Sequence, residues 1–457
     1  MCSISGFLRT YKAKDEHFKE VLDIMDTIIQ NATDRGRDSS GLAIFRPNYD
    51  NSPREIKILS KYNHQLKRRM GGETLPPYRC LINNNRAEPT TEYVPVKKFS
   101  DVQPFHSNRW WVAHNGVICN DAEFAGRWEL DTDIDTAIIP PLLEDEGMTW
   151  GVLQQLKGSM ALAMVDKMDP ETVYLYRDYK PLYVMYHYEL ATWFFTSLPK
   201  YFPFSEYTEK VKILEVPAFS LCSLSAQDGF EIITRKPEPT DKKAIVVCSG
   251  GLDSTTAAKQ AQLDGYEIHL VHMTYGCQAE EKEMAAIIKI AEALHCTYEF
   301  VDVDWLKQLG GSSLTNGGEI KSGETGAEYC HEWVPARNLL FLSMCAAISE
   351  VKGASKIYMG LNLEEGGAYP DNTVEFYENC NRALIYGTLN QVQVVNPLGN
   401  LMKWEIVKMA LEIGAPIHLS WSCYKGDEKP CGNCGPCYMR KKAFKMNKIQ
   451  DMIEYQE

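Results

Sequence analysis

From Lys12 to Ala32 the apolar residues Phe18, Val21, Leu22, Met25, Ile28 and Ile29 recur at helical spacing, and the pattern stops near Gly36, so one amphipathic helix is expected there. The chain then turns to short β-rich stretches: Glu55 to Leu59, Arg79 to Asn83, Arg109 to His114, Ser159 to Val165, Thr172 to Tyr176, Leu182 to Tyr186, Thr192 to Thr196 and Ala218 to Leu224. The first half is strand-dominated. Its character changes at Thr234-Arg235-Lys236-Pro237-Glu238-Pro239-Thr240-Asp241-Lys242-Lys243, a polar segment with two prolines between apolar runs. A boundary there gives two domains, 1–236 and 237–457. Beyond it, strands (Ala244 to Cys248, Glu267 to Met273, Tyr298 to Val303, Lys356 to Gly360) alternate with helical stretches (Ser254 to Leu263, Glu280 to Leu294, Ala336 to Val351), the signature of βαβ units and a parallel sheet.

Length and composition narrow this further. A chain of 457 residues with 44% apolar and 24% charged residues has room for two or three ordinary globular domains. Forty-eight basic against 61 acidic side chains leave a net charge of −13, so contact with a nucleic-acid backbone or an anionic membrane would need a local basic patch. The start, Met1-Cys2-Ser3-Ile4-Ser5-Gly6-Phe7, lacks a basic leader into a long apolar run, and the apolar run around Asn338 to Ile348 falls short of the ~18 residues of a membrane span. A cytoplasmic protein without membrane contact is expected; a homo-oligomer is left open. Of 14 cysteines, ten are scattered and four crowd into Cys423, Cys431, Cys434 and Cys437, which in a reducing compartment points to metal.

Once Met1 is cleaved, Cys2 carries a thiol and a free α-amine, whose pKa of roughly 7.7 to 8.0 leaves part of it neutral and able to take the thiol proton. Alone, a cysteine at position 2 can be an accident of sequence. Here it is followed by Arg35-Gly36-Arg37-Asp38-Ser39-Ser40-Gly41, Ala113-His114-Asn115-Gly116-Val117-Ile118, Thr132-Asp133, Leu156-Lys157-Gly158-Ser159 and Arg177-Asp178-Tyr179-Lys180-Pro181-Leu182. In order and spacing these resemble the class II glutamine amidotransferases, to about residue 225. The resemblance implies an N-terminal Ntn-hydrolase αββα sandwich in which Cys2 attacks the glutamine side-chain amide. Asn115 and the Gly116 N–H would hold the tetrahedral oxyanion. Arg86 would pair with the substrate carboxylate and Asp133 with its ammonium. That family usually shows Gly-His-x-Arg, where this chain reads Asn83-Asn84-Asn85-Arg86.

In the second half, the strand Ala244 to Cys248 runs into Ser249-Gly250-Gly251-Leu252-Asp253-Ser254, which opens a helix. Strand, glycine turn and helix start make an anion site, because unpaired N–H groups point outward and glycine lets phosphate approach. The loop lacks a Walker Gly-Lys-Ser/Thr ending. It resembles the pyrophosphate-loop (PP-loop) ATPases, which implies ATP phosphates, with magnesium (Mg2+), on Ser249, Gly250, Gly251, Asp253 and Ser254. Cys423-x7-Cys431-x2-Cys434-x2-Cys437 offers four soft ligands for one tetrahedral ion, zinc (Zn2+) in a closed structural site, with an iron–sulfur cluster the competing reading.

Tyr275-Gly276-Cys277-Gln278, Val334 to Ser343, Tyr369-Pro370-Asp371, Asn396-Pro397-Leu398 and Ser422-Cys423-Tyr424 extend the match from Ala244 to Phe444, and this region is similar to the 7-cyano-7-deazaguanine synthases (QueC-like). That resemblance implies a parallel-sheet adenine-nucleotide alpha hydrolase-like domain with a four-cysteine zinc knuckle, an α/β unit beside the α+β first half. It also implies adenylation of a 7-carboxy-7-deazaguanine, amide formation with ammonia, and dehydration to a nitrile. Arg337 and Asn338 would bind substrate or nucleotide, and Asp371 the guanine-like edge. Where the family tends to read Cys-Arg, this chain reads Asn372-Thr373.

The fusion resembles the amidotransferase-linked relatives of archaeosine-type modification, in which ammonia adds to a 7-cyano group on tRNA or DNA to give an amidine without ATP. Two further alternatives are an asparagine-synthetase-like amide ligase, which the cysteine cluster opposes, and a non-catalytic zinc-stabilised nucleic-acid-binding protein, which leaves Cys2, Asn115 and Asp253 unexplained. Arg440-Lys441-Lys442 with Lys445 and Lys448 form a basic stretch that reads as a phosphate contact or a solvated helix face.

Overall fold

The computed structural model describes residues 2–46, 53–64, 77–87, 98–124, 126–204, 208–235, 242–315, 318, 320, 332–367 and 369–456. The chain divides into two compact units, Met1–Pro237 and Glu238–Glu457. Most of the polar segment expected at their junction, residues 236–241, lies outside the described residues.

In the first unit the strands are β1 (Ser3–Arg9), β2 (Ser39–Phe45), β3 (Arg54–Ile58), β4 (Cys80–Arg86), β5 (Phe105–His106), β6 (Trp110–Ile118), β7 (Gly158–Asp166), β8 (Asp169–Arg177), β9 (Tyr183–His187), β10 (Thr192–Thr196), β11 (Val211–Glu215), β12 (Ser220–Ser225) and β13 (Gly229–Arg235). They form a seven-stranded sheet, β11-β9-β10-β1-β4-β2-β3, and a six-stranded sheet, β13-β12-β8-β7-β6-β5. Side chains alternate across each strand, so one set of residues fills the space between the sheets and the other meets helices outside. Ile4, Leu8, Ala113, Ala161, Ala163 and Phe195 pack between them. The helix Phe18–Asn31 covers Phe7, Leu42 and Phe194 on one outer face, and Ile139–Glu146 covers Val112, Leu162 and Met164 on the other. The result is the expected helix–sheet–sheet–helix sandwich. The helix expected from Lys12 begins only at Phe18, because the six residues before it, Lys12 to His17, are polar apart from Ala13.

The three consecutive asparagines are buried and tied down. The Asn83 side chain donates to the Gly41 carbonyl at 2.9 Å, Asn84 to the His114 carbonyl at 2.7 Å and Asn85 to the Ile29 carbonyl at 2.9 Å. They stitch β4 to β2, to β6 in the opposite sheet and to the first helix.

The second unit holds one parallel sheet, β16-β15-β14-β17-β18, made of β14 (Lys243–Val247), β15 (Glu267–Thr274), β16 (Thr297–Asp302), β17 (Lys356–Tyr358) and β18 (Gln393–Val395). Leu252–Leu263 and Glu280–Ala293 cover one face, Arg337–Lys352 and Val374–Gly387 the other. The strand order reverses between β14 and β17, and ligands of such sheets sit in the crevice beyond the strand ends at that point.

Past the sheet, Lys403–Glu412 packs on Gly435–Met446. Here the structure corrects the reading of the basic stretch. Arg440 is fully buried, bonded to both Asp451 carboxylate oxygens at 2.8 and 3.0 Å, to the Ser420 hydroxyl at 2.7 Å and to the Ile417 carbonyl at 3.0 Å. Only Lys441, Lys442, Lys445 and Lys448 face solvent. The chain's last turn closes on this group: the Tyr455 hydroxyl donates to Asp451 at 2.6 Å and the Gln456 N–H to the Pro430 carbonyl at 2.8 Å. Replacing Arg440 with methionine leaves the Asp451 charge buried without its partner, so a loss of about 3–5 kcal/mol is expected in denaturant unfolding; Lys441→Met should change stability by less than about 0.5 kcal/mol.

Candidate active sites

Cys2 immediately precedes β1, and the register that sets Ser3 opposite Asn85 brings it to Arg86, the last residue of β4, and to Ala87 just beyond. Its thiol donates to the Ala87 carbonyl at 3.8 Å. Burial pushes that thiol up and Asp135 adds to this, while Arg86 pulls it back. A thiol held protonated in this way needs a base.

Asn115 lies on β6 two residues beyond Ala113, on the side facing the first sheet, and its amide donates to the Ser197 hydroxyl at 3.3 Å; that hydroxyl also takes the Ile4 N–H at 3.0 Å. At Gly116 a Cβ would stand 1.7 Å from the Ser159 carbonyl oxygen, so only glycine allows β6 and β7 to approach here. The structure therefore brings Cys2, Arg86 and Asn115 to faces that meet between the sheets. Asp133 is exposed. Its neighbour Thr132 is linked to Arg86 by a residue the sequence did not single out: Asp101 accepts the Arg86 guanidinium on its carbonyl at 2.9 Å and the Thr132 hydroxyl on its carboxylate at 2.8 Å.

In the second unit a cavity of about 180 Å³ opens where β14 runs into the glycine loop. Gly250 has φ +73, and a Cβ there would come 2.8 Å from the Glu283 carbonyl oxygen. The loop hydroxyls are mutually placed: Ser249 and Ser254 lie 3.2 Å apart, and Ser254 donates to the Gly251 carbonyl at 3.2 Å. Asp253, in the first turn of Leu252–Leu263, accepts Lys403 at 2.7 Å and the Asn362 amide at 2.8 Å on one oxygen, while its other oxygen is buried with no hydrogen-bond partner among the described residues. Burial works against the Lys403 charge, but Asp253 and Glu365 outweigh it and hold that lysine above its ordinary pKa. No motif marked Lys403, 150 residues from its partner.

Arg337 and Asn338 open the helix Arg337–Lys352 and line the same cavity; Arg337 donates to the Tyr275 hydroxyl at 3.3 Å. Asp371 stands behind the wall. Its carboxylate takes the Asn338 N–H at 3.3 Å and the Asn372 amide at 3.1 Å, and it is Asn372 that faces the cavity. Thr373 caps the helix Val374–Gly387, its hydroxyl accepting the Phe376 N–H at 3.2 Å.

The four thiol sulfurs of Cys423, Cys431, Cys434 and Cys437 lie within 4.8 Å of one another. Tetrahedral zinc, at ~2.3 Å per sulfur, sets its ligands ~3.8 Å apart, so the group fits with little adjustment. The N–H groups of Lys425 and Cys431 point at the Cys423 sulfur from 3.3 and 3.4 Å, the arrangement that stabilises a thiolate. The knuckle is tied to the glycine loop through the Trp421 N–H, which donates to the Gly250 carbonyl at 2.8 Å, and the Trp421 indole donates to the Cys423 carbonyl at 2.7 Å.

Over its full length the chain is 43% identical to a 7-cyano-7-deazaguanine synthase of Saccharolobus solfataricus and 42% identical to 7-cyano-7-deazaguanine synthase 2 of Sulfurisphaera tokodaii, covering 100% of each. The chain belongs to the 7-cyano-7-deazaguanine synthase family. Within that family, a relative from Nautilia profundicola is 38% identical over 47% of this chain and 99% of its own length, so the shorter synthases carry one of the two units. The family model "Queuosine biosynthesis protein QueC" matches residues 243–448, and the model "Glutamine amidotransferase domain" matches residues 91–203. These matches make the chain a fusion of an amidotransferase domain and a QueC domain, an enzyme with a role in 7-deazaguanine modification. Among the described residues no helix is long and apolar enough to cross a membrane.

Proposed function

We propose that residues 1–236 release ammonia from glutamine and residues 237–457 spend ATP to join that ammonia to the 7-substituent of a 7-deazaguanine. The observation that carries the reading is the intact glycine loop at the strand-order reversal, with the orphaned Asp253 oxygen in the wall of its cavity. That oxygen suits a magnesium ion accompanying the ATP phosphates, and the N–H groups of Gly250 and Gly251 suit the phosphates themselves.

In this reading the Cys2 α-amine takes the thiol proton, and sulfur attacks the glutamine side-chain amide. Asn115 and the Gly116 N–H meet the developing oxyanion, with Arg86 on the α-carboxylate and Asp133 on the α-ammonium. Free ammonia is largely protonated at neutral pH, so supplying it as NH3 from within the same chain avoids that loss. At the second site a carboxylate oxygen leaves poorly until ATP converts it to an adenylate; Arg337 and Asn338 border the place where base and nucleotide would meet. Zinc on the four cysteines would be structural, its role to hold the Trp421 segment against the loop.

A second reading is ammonia addition to the nitrile of 7-cyano-7-deazaguanine in tRNA or DNA, which needs no nucleotide. The replacement of the family's Cys-Arg by Asn372-Thr373, the first of which stands in the cavity wall, favours it. The test is to incubate the protein with glutamine, ATP and each acceptor, followed by mass spectrometry. Release of AMP and pyrophosphate with 7-carboxy-7-deazaguanine is expected; turnover only on a nitrile-bearing polynucleotide, without nucleotide cleavage, would replace the first reading by the second.

A further inference from the structure

We propose that Glu283 is the proton acceptor for carbon–nitrogen bond formation in the second unit, an inference that rests on the ATP-consuming reading above. Glu283 sits in the first turn of Glu280–Ala293, beneath the glycine loop, with its side chain 14% exposed and directed into the cavity wall. Beside it stands His272. Its Nδ1 lies 2.9 Å from the Cys248 carbonyl oxygen, which can only accept, so Nδ1 carries the hydrogen. Burial holds this imidazole neutral, which leaves Nε2 with a lone pair and no hydrogen-bond partner among the described residues. That lone pair faces the Glu283 Oε2 at 3.9 Å.

Two lone-pair atoms buried against each other are relieved when the carboxyl holds a proton. Arg337 pulls the other way, favouring the carboxylate, as does the Cys277 thiol that donates to Oε2 at 3.7 Å. Tyr275, Cys248 and Glu280 complete the titratable groups around it. Burial, aided by Glu280, outweighs Arg337 and Cys277 and pushes the Glu283 carboxyl up to about 7. Both of its forms are therefore populated at neutral pH, which is what transfer of a proton to and from a single group requires.

The step it serves is balanced without any further reagent. Ammonia attacks the adenylated carbon, the C–N bond forms, and the bond from carbon to the adenylyl oxygen breaks with AMP taking the electron pair. The new nitrogen sheds one proton, Glu283 carboxylate accepts it, and the open cavity returns it to solvent. None of the residues assigned to the second site so far takes this proton.

The test compares Glu283→Gln with the unaltered protein in saturating ammonium, so that the glutaminase is bypassed. ATP–pyrophosphate exchange with 7-carboxy-7-deazaguanine should persist in both, which also reports that the variant folds. Product formation should fall about 100-fold, and the rise of rate through pH 7 should flatten; Glu283→Asp should recover part of the rate. Unchanged kcat and pH profile in Glu283→Gln would overturn the proposal, as would a change confined to the KM for the deazaguanine, which would make Glu283 a recognition group. Absence of exchange in the unaltered protein would instead overturn the ATP-consuming reading.

Discussion

Replacing Cys2 with alanine is expected to lower glutamine-dependent product formation by a factor on the order of 10⁴ or more, while saturating ammonium still yields product at the second site. The size follows from what is removed. The thiol is the proposed nucleophile beside Arg86 and Asn115, and the oxyanion donors on β6 have nothing to stabilise without it. The fold should be indifferent, because Cys2 precedes the first strand and its thiol's bond to the Ala87 carbonyl is a long sulfur contact. The measurement is nitrogen transfer from labelled glutamine against labelled ammonium, read in the deazapurine product. Loss of both would contradict separate sites for producing and using nitrogen.

The second large effect is expected from the metal. Structural zinc contributes apparent binding energies of roughly 10–16 kcal/mol in small domains, and the four thiolates repel one another once it is gone. Chelation, or Cys434→Ser, should therefore lower the melting temperature of the second unit by more than any single core substitution and abolish ATP-dependent turnover. The loss of activity has a direct route: Cys423 and Trp421 are joined by the indole bond, and the Trp421 N–H holds the Gly250 carbonyl. Glutamine hydrolysis should survive, because the first unit has its own two-sheet core. Metal content, melting curves and the two activities measured on one preparation decide it; full synthase activity in metal-free protein would contradict the assignment.

What could be read without coordinates was what is local in sequence. The loop from Ser249 to Ser254 and the cysteine knuckle each lie within some fifteen residues, so an anion site and a four-thiolate cluster are legible in local pattern, while ATP use is implied only by resemblance. β1 was not seen, since Ser3, Ser5 and Gly6 look like a loop by propensity. It forms because it lies in the middle of its sheet, with Ser3 bonded to the Ala32 carbonyl and Ser5 to Asn83. Asn83, Asn84 and Asn85 are poor strand formers for the same reason, and their partners on β2, β6 and the first helix override that preference. β13 escaped notice because it is an edge strand, mostly exposed, with no alternation to detect.

The basic stretch shows a different limit. Cys437, Arg440 and Phe444 fall at spacings of three and four and share the inward face of their helix, whereas Lys441, Lys442 and Lys445 share the outward one and Lys448 lies exposed just past its end. Helical periodicity applied to charge would have separated Arg440 from the lysines. Nothing comparable could have found Lys403, whose partner lies 150 residues away along the chain, or Glu283 and Asp101, which no motif marks.

The turn that carries Tyr455 and Gln456 onto Asp451 and Pro430 bears on how the enzyme can be handled. The Tyr455 ring also rests on the knuckle glycine Gly432, so a purification handle fused there would tug on the metal-binding loop, and trimming the segment would strip away one of its walls. In the proposed mechanism an amino-terminal handle would likewise have to be removed by proteolysis that frees the amine of Cys2. Affinity labels are better carried on a surface loop remote from both ends.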